Sequence, residues 1–110
     1  MFTATLAYEL SPSTAPEAKK LLVAELVGRR YNDRFEGKKL PAGCVWIRRS
    51  KAEHETVDDL ARRVQAELED AVRAVARAGL TIKLVRGWVQ VSGAGTWTLI
   101  EPGASGEEKP

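Results

Sequence analysis

The stretch from Thr56 to Gly79 constrains the fold more than any other part of the chain. Val57, Leu60, Ala61, Val64, Leu68, Ala71, Val72 and Val75 recur at helical spacing and form one continuous apolar stripe. Thr56 with Asp59 three residues on approximates a capping box, Arg73 and Arg77 lie where the macrodipole favours cations, and Gly79 supplies the stop. Asp58–Arg62, Asp59–Arg63 and Glu69–Arg73 are acid-first pairs four apart, each expected to add a small stabilisation. A helix of this length runs about 33 Å at 1.5 Å per residue. A rod this long with one apolar side needs a second layer to cover it.

The remaining chain offers that layer. Phe2, Ala4, Leu6, Tyr8 and Leu10 alternate with Thr3, Thr5, Ala7 and Glu9, the pattern of a strand with one buried face. Ser11 to Pro16 breaks it, and Ala15, Ala18, Leu21, Leu22 and Leu26 then mark a helix ending near Gly28. Between Arg29 and Leu40, Tyr31, Asp33 and Phe35 fall at period two, which predicts a short irregular strand leading into a hairpin. Cys44 to Arg49 reads as a strand with Val45 and Ile47 on one face and Cys44, Trp46 and Arg48 on the other. Thr81 to Ser92 reads as a long strand whose apolar phase changes around Gly87, the signature of a bulge. Gly93-Ala94-Gly95 turns the chain into a last strand, Thr96 to Ile100, which would place Trp88 and Trp97 on paired strands.

That order predicts an α+β, ferredoxin-like split βαβ sandwich (βαββαβ) with an extra C-terminal strand and both helices on one face of the sheet. Residues 1–101 would form one domain and 102–110, rich in Pro, Gly, Ser and charge, a disordered tail. One Cys and one His exclude an internal disulfide, a Cys-based zinc site and a His cluster. There is no G-x-G-x-x-G, no P-loop and no G-x-S-x-G, so the corresponding nucleotide and hydrolase readings have no support, and no cofactor is expected. No apolar run is long enough to span a bilayer. The opening Met1-Phe2-Thr3-Ala4-Thr5 lacks the features of a signal peptide, which predicts a cytoplasmic protein.

Charge is where function enters. The 110 residues carry a formal net charge of only +2, yet 28–51 holds eight cations against Asp33 and Glu36, so +6, and the rest of the chain is at −4. Arg29, Arg30, Arg34, Lys38, Lys39, Arg48 and Arg49 are therefore the candidate nucleic-acid or polyanion contacts, interleaved with Tyr31, Phe35 and Trp46. A basic hairpin also guards an edge strand against pairing with other molecules, which is the plainer reading of the same residues. Trp46, on the parity opposite to Val45 and Ile47, is expected on the open face of the sheet, as a homodimer interface or a base-stacking platform. Glu9, at the end of the first strand, is the candidate catalytic carboxylate, although one acid without partners makes no metal site. His54 reads as polar surface before a helix, and Cys44 as a small buried hydrophobe with no base to activate it.

Tyr8-Glu9 closing the first strand, a hairpin through Arg34-Phe35-Glu36-Gly37 and a trailing strand pair resemble the small CRISPR-associated spacer-acquisition subunit and the related virulence-associated protein D ribonucleases. The resemblance implies a ferredoxin-like, dimeric, nucleic-acid-directed protein. It places Glu9 where those families usually carry an Asp proposed to bind metal.

Together these readings predict a non-enzymatic binding module, a homodimer that meets nucleic acid or an acidic partner through its basic hairpin. A metal-dependent ribonuclease using Glu9 is the alternative from a different class, and a protein–protein regulatory domain is the third. None involves a membrane.

Overall fold

A computed structural model, which describes residues 1–93, runs in chain order β1 (Phe2–Leu10), α1 (Pro16–Gly28), β2 (Arg34–Phe35), β3 (Lys38–Lys39), β4 (Cys44–Arg49), α2 (Val57–Arg77) and β5 (Leu84–Ser92). The expected strand Thr96–Ile100, with Trp97, and the expected tail 102–110 lie outside the described residues. The fold is α+β: a three-stranded antiparallel sheet in the order β4-β1-β5 with two helices, and a separate two-stranded hairpin, β2-β3.

The alternation in β1 sets the two faces of the sheet. Ala4 stands opposite Ile47 and Val91, and Leu6 opposite Val45 and Val89, so these apolar side chains share one face. Ala4 and Leu6 are completely buried. Both helices feed the same core, with Ala18, Leu22 and Leu26 from α1 and Val64, Leu68, Ala71 and Val75 from α2. Area removed from water along this one layer is the main source of stability.

α2 is the element the sequence describes best. Thr56 Oγ1 accepts from Asp59 N at 3.1 Å while Asp59 Oδ2 accepts from Thr56 N at 3.0 Å, a complete capping box. The ion pairs differ from expectation. None of the three predicted pairs four apart forms; Arg62 meets Asp59 at 3.8 Å, Arg73 closes on Asp70, and Arg63 reaches Glu55 outside the helix. Asp59 is held towards Thr56 by the cap, and a neighbour three residues away is as near as one four away.

The region 29–40 departs most from a regular strand. Arg30, at φ 80°, reverses the chain directly after α1, and only Asn32 then pairs with the sheet, by N–H···O bonds of 2.7 and 3.0 Å with Trp46. Beyond it the chain folds on itself as β2-β3, around Glu36 and Gly37, both left-handed, as tight hairpin turns with primed geometry require. Tyr31 is 2 % exposed and turns inward, which takes this segment out of strand register.

β5 begins three residues later than expected. Residues 81–83 instead bind the approach to α1: Ala15 N donates to Thr81 O, Ser11 N to Lys83 O, and Lys83 N to Oγ1 of the buried Thr14. The phase change is a register shift at Glu9/Leu10, where Arg86 faces Glu9 and Leu84 faces Leu10, leaving Val85 as the extra residue. The bulge thus falls two positions before Gly87 and returns Val89 and Val91 to the core face.

Candidate nucleic-acid interface

Register also defines the second face of the sheet. Its cross-strand rows are Arg48–Thr3–Ser92, Trp46–Thr5–Gln90 and Cys44–Ala7–Trp88, with Glu9 beside Arg86 at the end. The central strand contributes only Thr5 and Ala7 between the two tryptophans, so the floor between them is low. Trp88 is 56 % exposed.

Trp46 lies on this face, as its parity predicts, and is locked in place. Its Nε1–H donates to Arg34 O at 2.8 Å, and its ring meets Phe35 edge-on, with centroids 6.4 Å apart and planes at 74°. The hairpin therefore flanks the open face on the β4 side. It brings Arg34 to the same rim, where its side chain donates to Gly37 O at 3.3 Å.

The seven predicted cations divide into two groups. Arg30, Arg34, Lys38, Lys39 and Arg48 are exposed. Arg29 is half-buried and pairs with Glu25 at 3.5 Å. Arg49 is committed to Glu67, donating from both terminal nitrogens at 2.9 and 2.8 Å, and its guanidinium lies 5.8 Å from the centre of the Tyr31 ring. A groove of about 460 Å³ along the β4 edge is lined by Arg30, Asn32, Trp46, Ile47, Arg48 and Arg49. Trp46 N and O point outward to Asn32, so strand alternation aims the Arg48 N–H to the same side.

Among known proteins, no family model, no curated protein and no solved structure matches this chain. The layout resemblance to the spacer-acquisition subunits and toxin ribonucleases therefore rests on Tyr8-Glu9, on Arg34–Gly37 and on a trailing strand pair whose second strand lies outside the described residues.

Glu9 is exposed and ion-paired to Arg86, Nε to Oε1, at 2.9 Å. Among the described residues no three His, Cys, Asp or Glu side chains converge as a metal site. His54 is exposed in the loop before α2. Cys44 is half-buried, and burial pushes its thiol up, away from the thiolate a nucleophile needs. No described helix is long and apolar enough to cross a membrane.

A triad of Tyr31, Arg49 and Glu67, which no sequence motif marks, stands behind this face. Tyr31 OH donates to Glu67 Oε1 at 2.6 Å, completing the shell begun by Arg49. A signal was available, because Glu67 stands three residues after Val64 and four before Ala71, on the flank of the apolar stripe. A carboxylate there needs donors from a neighbouring element.

Proposed function

We propose that this protein binds single-stranded nucleic acid on the open face of its sheet. Bases would stack on Trp88 and on the Trp46–Phe35 pair, and phosphates would follow Arg48, Arg34 and Arg30 along the β4 rim. The observation that carries the reading is the pairing of one exposed and one braced tryptophan across a floor of small side chains, beside exposed arginines. Stacking on aromatics combined with a cationic track is how single strands are held without sequence readout. The fold we infer is the ferredoxin-like split βαβ, with its second strand reduced to the Asn32 bridge; the order β4-β1-β5 with β1 central supports it. Self-association over the same face would compete with the nucleic acid.

Fluorescence anisotropy with labelled oligouridine and oligothymidine tests this. Binding should weaken steeply as salt rises. Trp88→Ala should remove about 1–3 kcal/mol, the worth of one stacked base. Absence of binding at low salt, or full affinity in Trp88→Ala, overturns the reading. A light-scattering mass that stays dimeric with and without oligonucleotide would give the face to a second copy instead.

A further inference from the structure

A cavity of about 570 Å³ opens where α1, the end of the hairpin and the 40–43 loop meet the end of β1. That volume is typical of sites for small organic ligands, roughly 300–1,000 Å³. Its lining is of two kinds. Leu10, Val23, Leu40 and Val45 are apolar, whereas Lys19, Lys20 and Lys39 bring three cations against the single acid Asp33.

The walls are set before any ligand arrives. Leu40 N donates to Asp33 O at 2.9 Å, Cys44 N to Pro41 O at 3.2 Å, and Tyr8 N to Gly43 O at 2.8 Å. Gly43 has φ +81°, and a Cβ there would stand 2.5 Å from Tyr8 O, so only glycine lets the loop press this closely on β1. A preformed site avoids the ordering cost that weakens flexible ones. Tyr8 also lines the cavity. Burial, and then the nearby Cys44 and Asp33, push its phenol up, so the hydroxyl stays a proton donor at neutral pH.

We propose that this cavity binds an organic acid with an apolar body. The hydrocarbon lies along Leu10, Val23 and Leu40, and the anionic head meets the lysine rim and the Tyr8 hydroxyl. The site uses neither tryptophan nor Arg48, so it stands or falls separately from nucleic-acid binding.

The test is a titration of the isotopically labelled full chain with decanoate, followed by amide chemical shifts. Acetate and decyltrimethylammonium are the controls for the apolar body and the charge. Decanoate should give saturable shifts at residues 42–45, acetate none, and the cation should bind at least about tenfold more weakly. Val23→Trp fills the cavity and should abolish the shifts. The surface pair Lys19→Glu with Lys20→Glu should weaken decanoate about tenfold, and it decides the matter if the tryptophan variant misfolds. Non-saturable or scattered shifts, equal binding of the cation, or unchanged affinity in the folded charge-reversed protein would each overturn the proposal.

Discussion

Glu67 joins three elements through one carboxylate. It takes the Tyr31 hydroxyl from the connection after α1 and both terminal nitrogens of Arg49 from the end of β4, while itself standing on α2. Burial pushes its acidity towards weaker values, but the Arg49 and Tyr31 hydrogen bonds outweigh it and hold the carboxyl below its ordinary 4.5. A carboxyl depressed in the folded state contributes stability that is complete above that ordinary value. The contribution is lost as pH falls through the lower, folded value. Urea midpoints of the native protein should therefore drop on acidification below about pH 4.5, and Glu67→Gln should flatten that limb. Tyr31→Phe removes a hydrogen bond to a charged acceptor and should cost about 1.5–3 kcal/mol in chemical denaturation. A cost near zero would mean that water replaces the hydroxyl.

The elements differ in how local their causes are. α2 carries its own instructions in its stripe, its cap and its terminal charges, and each acts within one or two turns. Thr56→Ala should cost about 1 kcal/mol, read as a lower thermal midpoint. Val57, the first residue of the predicted stripe, is 43 % exposed, whereas Leu60 three residues on is completely buried. The hairpin is the opposite case. The period-two pattern of Tyr31, Asp33 and Phe35 looks like a strand, but Tyr31 is drawn to Glu67 and Phe35 to Trp46, both far along the chain. The 40–43 loop likewise depends on a distant strand. Gly43→Ala should destabilise by more than about 1 kcal/mol, the minimum cost of a Cβ in left-handed backbone, with the contact to Tyr8 O adding to it.

At the scale of the molecule, the question is whether the exposed cations act as one surface. Arg34 and Arg48 flank the same tryptophan, one through its backbone carbonyl and one through strand register. Changing both to Ala should reduce the salt dependence of oligonucleotide affinity, each lost phosphate contact lowering the logarithmic slope by roughly 0.7. Arg49→Ala should instead act on stability, because its charge is spent on Glu67. Strand parity separates Arg48 from Arg49 in the sequence, but nothing there names Glu67 as the partner of Arg49 or tells Arg29 from Arg30. Composition and periodicity determined the α+β class, both helices, the buried parity of β1 and β4 and the face that Trp46 occupies, because these depend on spacing within one element. Which cations remain exposed, where the bulge falls and how Tyr31, Arg49 and Glu67 meet were decided only in the tertiary structure. The triad joins residues 18 to 36 apart and the bulge joins the first strand to β5, and such distances close only once the layers have packed.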